Sequence, residues 1–113
     1  MLQVPKLSVA LMNASIFTPL EGTIRQSKIT LQIAEQLIRE NGFVSAIGHS
    51  ATAELISTLF GIDCQVNRIN FLQEVGQYAI VFRLRERQAE GVILNKDEIE
   101  RIGYDLLLME RIN

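Results

Sequence analysis

The chain has 113 residues, nearly half of them apolar, and a formal net charge of −2. That length suits one domain with its own core, spanning 1–113, and the charge excludes a global basic field that would bind nucleic acid in bulk. One cysteine, Cys64, excludes an intramolecular disulfide framework, and one histidine beside it is too few for a Cys/His zinc site.

The N-terminus, "MLQVPKLSVALMN", carries a short apolar run and no positive leader. It reads as a strand over Leu7–Met12, not as a signal peptide, and the expected location is the cytoplasm. No stretch of the chain approaches the roughly 20 apolar residues of a membrane span. Asn13, Ala14 and Ser15 follow as a polar loop, and Pro19 and Gly22 break the chain before "TIRQSKI". That segment alternates enough for a second strand, although Ile24 and Ile29 are poorly phased.

Thr30 caps a helix predicted to run to about Glu40. Leu31, Ala34, Leu37 and Ile38 recur on one face, and Gly42 closes the helix in a left-handed turn. A second helix follows His49, with Leu55, Ile56, Leu59 and Phe60 as its buried stripe. Glu54 is placed in its first turn, where an acid suits the positive end of the helix dipole, and Gly61 stops it. Cys64–Phe71 and Gln77–Arg87 read as two strands of an antiparallel hairpin. In the second of them Tyr78, Ile80, Phe82 and Leu84 share one face; Ala79, Val81, Arg83 and Arg85 share the other. Asn95 and Glu98 have the spacing of a capping box for a short helix ended by Gly103. "YDLLLMERI" closes the chain as a strand. The fold class is therefore α/β, a mixed sheet of about five strands with about three helices.

The chemistry-bearing residues are few. His49 lies at a helix start, where free backbone N–H groups and the dipole suit a phosphate. Gly48 leaves room for a ligand to approach, and Ser50 and Thr52 add hydroxyl donors. The competing reading is that His49 or Ser50 simply caps the helix. Asn13 and Ser15 follow a buried strand, where ligands of α/β sheets bind, or they merely close a turn. Arginines outnumber lysines eight to three. Arg68, Arg83, Arg85 and Arg87 lie within twenty residues of one another, as a solvated strand face or as an anion site. Arg87 and Glu90 stand three apart on a loop. They could bind phosphate and orient a hydroxyl or the histidine, or form a surface ion pair of little value. Neither a phosphate-binding Gly-rich loop nor a metal-hydrolase pattern is evident, and no cofactor is implied.

Three ordered motifs go further: "AIGHSATAELISTLFGIDCQVNRI", "RLRERQAEGVIL" and "DEIERIGY". Together they resemble a small family of viral and mobile-element proteins whose best-understood members are the viral anti-CRISPR ring nucleases, with bacterial relatives. The likeness runs from about Leu7 to Arg111. It implies an α/β homodimer that binds cyclic tetra-adenylate, the messenger of type III CRISPR defence. It also implies metal-independent cleavage to linear di-adenylate ending in 2′,3′-cyclic phosphate. Carried over, the family's histidine is His49 as general acid, its arginine and glutamate are Arg87 and Glu90, its Asn-Arg arginine is Arg68, and its strand-end asparagine is Asn13. After that asparagine the family commonly has an aromatic and then a serine, whereas this chain has Ser15 and then Ile16. The alternatives are a protein that binds or sequesters a cyclic nucleotide without cutting it, and a DNA-associated or protein-interaction module of a mobile element. The negative charge argues against duplex nucleic acid as a partner, and no membrane partner is expected.

Overall fold

A computed structural model describes residues 7–89 and 91–113. Five strands form one sheet in the order β2-β5-β4-β1-β3. They are β1 (Val9–Met12), β2 (Ile24–Ile29), β3 (Phe43–Ser45), β4 (Tyr78–Leu84) and β5 (Tyr104–Arg111). The helices are α1 (Leu31–Asn41), α2 (Ser50–Phe60) and α3 (Lys96–Ile102). β1 is parallel to both β3 and β4, and β5 is antiparallel to β2 and β4. Four strands thus run one way and β5 alone runs the other. The expected α/β class, strand count and helix count all hold.

β1 is a short inner strand between β4 and β3, and all four of its residues are buried. Both faces of the sheet are covered, which explains its unbroken apolar run. Val9 and Leu11 face the main core with Ile80 and Phe82 of β4 and Leu106 and Leu108 of β5. Ala34 and Ile38 of α1, Ala53, Ile56 and Leu59 of α2, and Ile99 of α3 cover that side. Ala10, Met12, Ala79, Val81 and Met109 face the opposite side, where no helix lies among the described residues and Phe71 of a loop packs against them. The two faces read from the alternation of β4 are therefore real. The poor phasing of Ile24 and Ile29 has the same origin. Ile24 packs in the second cluster and Ile29 against the first.

The helix boundaries follow their caps. The Thr30 hydroxyl accepts from the Ile33 N–H at 3.2 Å. Asn95 and Glu98 form the reciprocal capping box, at 2.8 and 3.1 Å. Gly61 ends α2 in the left-handed conformation. Gly42 differs from expectation: its φ is 73°, but its ψ of 180° is extended, and the chain turns straight into β3.

Other expectations are corrected. The hairpin of Cys64–Phe71 with Gln77–Arg87 does not form. β4 takes its partners from distant β1 and β5, and residues 64–71 contain no strand. The fifth strand is instead β3, whose three residues are too few to show a period. The first strand begins at Val9 rather than Leu7, and residues 1–6 lie outside the described residues. Glu54 falls in the second turn of α2, so the first turn has no acid.

Candidate functional site

Because β1, β3 and β4 are parallel, the chain leaves all three at the same end of the sheet. Asn13 follows β1, Ala46–His49 follows β3, and Arg85–Arg87 follow β4. The carboxyl ends of parallel strands are where α/β sheets hold ligands.

His49 is the N-cap residue of α2, with extended backbone at φ −125° and ψ 120°. Its carbonyl accepts the first helical bond, from Ala53 N at 3.1 Å. The N–H groups of Ser50, Ala51 and Thr52 therefore have no acceptor within the helix. Its imidazole makes no capping bond and is exposed. The capping alternative is thus half right: the backbone of His49 caps, and the side chain is left over. With no acid in the first turn, the positive end of the helix is uncompensated from within.

The residue before it is tightly held. The Gly48 N–H donates to Asn13 Oδ1 at 3.2 Å, and Arg68 Nε donates to the Gly48 carbonyl at 2.9 Å. Two predicted ligand residues thus meet on a third. Gly48 lies against the Arg68 stem rather than open space: a Cβ there would stand 3.4 Å from Arg68 Cγ. Its N–H is also engaged, so a phosphate would find the helix N–H groups and the outer nitrogens of Arg68 instead.

The other predicted residues are less tied together. Ser50 is exposed at the first position of α2, and Thr52 is half-buried two residues on, still in the first turn. Ser15 is exposed two residues past Asn13. Arg87 is exposed beyond the end of β4, and no bond joins it to His49, Gly48 or Arg68 among the described residues. Glu90 lies outside the described residues. Of the remaining arginines, Arg85 bonds Asp105 at 3.0 Å, and Lys28 reaches the same oxygen at 3.1 Å. The Arg85 and Lys28 hydrogen bonds hold the Asp105 carboxyl down to about 2. Arg85 is therefore the ion-paired strand end of the bland reading, whereas Arg68 belongs to the site.

Two residues went unnoticed in the sequence. Ser45 Oγ donates to the Gln65 carbonyl at 2.5 Å and accepts from Ile47 N at 3.3 Å. Asn67 donates from its side chain to the Ser45 carbonyl and from its backbone to the Ile47 carbonyl, both at 2.8 Å. The one signal was the Asn-Arg dipeptide, of which only the arginine drew attention. Cys64 is buried in the core near this strap; burial pushes its thiol pKa up, which suits packing and not nucleophilic work.

A profile of the STIV B116-like family matches residues 9–106. The chain belongs to the STIV B116-like family. Among relatives of this family member, the uncharacterized protein 26 of Sulfolobus islandicus filamentous virus (isolate Iceland/Hveragerdi) is 34% identical over 91 residues, covering 80% of this chain and 77% of that one. The uncharacterized protein YddF of Bacillus subtilis (strain 168) is 32% identical over 109 residues, 95% of this chain and 100% of its own. Among solved structures, B116 of Sulfolobus turreted icosahedral virus superposes with a TM-score of 0.76 at 26% identity, over 91% of this chain and 98% of that one. The relatives of this chain thus include viral proteins and a bacterial one. Among the described residues, no helix is long and apolar enough to cross a membrane.

Proposed function

We propose that this B116-like protein is a metal-independent ring nuclease. Two copies bind cyclic tetra-adenylate between them and cut it to linear di-adenylate with 2′,3′-cyclic phosphate ends, which switches off type III CRISPR signalling. The ribose 2′-OH is the nucleophile, and His49 protonates the departing 5′-oxygen. The observation that carries this reading is the state of His49: an exposed imidazole with no capping bond, on a turn fixed by Asn13 and Arg68.

The chemistry asks little more of the protein. RNA supplies its own nucleophile, so the site must hold that hydroxyl in line with phosphorus and leaving oxygen. Histidine is a side chain suited to this proton transfer. The outer nitrogens of Arg68, the N–H groups at the start of α2 and the hydroxyls of Ser50 and Thr52 offset charge on the phosphorane. The family resemblance adds Arg87 and Glu90 to this reading as catalytic residues, and Asn13 and Ser15 as ligand contacts.

The pairing of two copies has support of its own. Ile16, Phe17 and Leu20 on one loop, and Leu72 and Val75 on another, are each at least half exposed. The two loops are joined where Gln73 N donates to Thr18 Oγ1 at 2.9 Å. Apolar surface of this kind marks a contact. A two-fold pair would present two copies of one site to a four-unit ring, and two opposite cuts give two dinucleotides.

Incubation with cyclic tetra-adenylate in EDTA tests the reading. Linear di-adenylate is the expected product. A ring held stoichiometrically and recovered uncut would make the protein a sequestering one instead.

A further inference from the structure

The turn that carries His49 is an unusual piece of backbone. β3 is an edge strand that ends at Ser45, so the next residues have no ladder on their outer side. Backbone polar groups there still need partners. Ala46 N finds one in the Leu11 carbonyl at 2.9 Å. Three carbonyls are met from residues 67 and 68, and the Ile47 and Gly48 N–H groups by the side chains of Ser45 and Asn13. The Ser45 hydroxyl bridges Gln65 O and Ile47 N, and the Asn67 carboxamide takes the Ser45 carbonyl. The Asn67 N–H takes the Ile47 carbonyl. Meanwhile Ile47 is fully buried, so the chain dips into the core and emerges two residues later at His49.

We propose that Ser45 and Asn67 are positioning residues for the reaction at His49, setting the course of Ala46–Gly48 without touching the ligand. The proposal rests on the ring-nuclease reading of His49. Its physical ground is the contrast within five residues. The imidazole is exposed and free of capping bonds, yet the backbone is pinned at Ser45, Ile47 and Gly48. A general acid must come within hydrogen-bond reach of its oxygen. An unbonded imidazole can be aimed only by its own backbone. Ser45 is buried and Asn67 half-buried, so their hydrogen bonds work in a part-buried setting, where they are hard for water to replace. Asn13 and Arg68 act one residue later and face the ligand as well, so their loss would mix binding with positioning. Ser45 and Asn67 separate the two.

The test compares turnover with binding. In Asn67→Ala, cleavage of cyclic tetra-adenylate at saturation is expected to fall about 10- to 100-fold, the cost of misplacing a reacting group by about an ångström. Affinity for the intact ring, measured on a His49→Ala background with and without Asn67→Ala, should stay within about threefold, because no ligand contact is removed. Ser45→Ala repeats the measurement should Asn67→Ala fail to fold, and Ser45→Thr, which keeps the hydroxyl, should restore turnover. Amide hydrogen exchange gives a readout independent of activity: Ile47 N–H should lose protection in Ser45→Ala. An Asn67→Ala protein that cuts within about twofold of the wild type, or that loses affinity in step with turnover, overturns the positioning role. Wild-type protein that leaves the ring intact overturns the reading of the site itself, a failure visible before any substitution is made.

Discussion

Arg68 donates its Nε–H to the carbonyl of Gly48 at 2.9 Å, one residue ahead of the histidine. The guanidinium is exposed, so its outer nitrogens remain available to an anion while Nε holds the turn. Binding and positioning are joined in one planar group, which a lysine cannot imitate. Arg68→Ala should weaken binding of cyclic tetra-adenylate about 10- to 100-fold, the usual weight of a charge-assisted bond. Arg68→Lys should recover little of it, in a titration at low salt. A lysine variant that binds as tightly as the wild type would show that only the charge matters.

The ion-paired end of the sheet predicts an acid-dependent stability. Arg85, and then Lys28, hydrogen-bonds the Asp105 carboxyl and holds it down to about 2. A carboxyl depressed in the folded state stabilises the fold above its unfolded value near 4. That contribution is lost as the pH falls from about 4 through about 2. Asp105→Asn should therefore melt below the wild type at pH 6, with the gap closing by about pH 2 in a melting series. The groups are solvent-accessible, so the gap should also shrink in high salt. A gap that is constant with pH would contradict the pairing.

Much of this fold was legible because its signals are local. Thr30 and the Asn95–Glu98 box mark helix starts through bonds spanning three residues. The alternation along β4 revealed both faces of the sheet. Pairing was not legible, because β4 lies between β1 and β5, and no adjacent segment records that choice. Residues 64–71 look like a strand in the sequence, but Ser45, Asn67 and Arg68 side chains supply contacts that a ladder would otherwise make. The same holds for the site. Asn13, Gly48, His49 and Arg68 could be singled out by type and motif. Ser45 could not, since a serine at the end of a three-residue strand looks like any loop serine until its partners are known.

The inner strand β1 should be intolerant of a cavity. Leu11 is fully buried in β1, pairing with Ser45 on one side and Ile80 on the other. Its carbonyl also anchors Ala46 at the start of the histidine turn. Leu11→Ala should cost about 2–5 kcal/mol of stability in denaturant unfolding, the range for a buried leucine. A loss of under about 1 kcal/mol would mean that the core collapses around the gap more freely than close packing allows.

The most direct measurement is single-turnover cleavage of cyclic tetra-adenylate in EDTA by wild type and His49→Ala, with ring binding followed in parallel. General acid catalysis by one residue contributes about 10²- to 10⁴-fold. The imidazole makes no capping bond, so its removal should leave the fold and ring affinity close to wild type. His49→Ala is thus predicted to bind the ring and to cut it at least about a hundredfold more slowly. A His49→Ala protein that cuts at the wild-type rate would contradict the role assigned to His49.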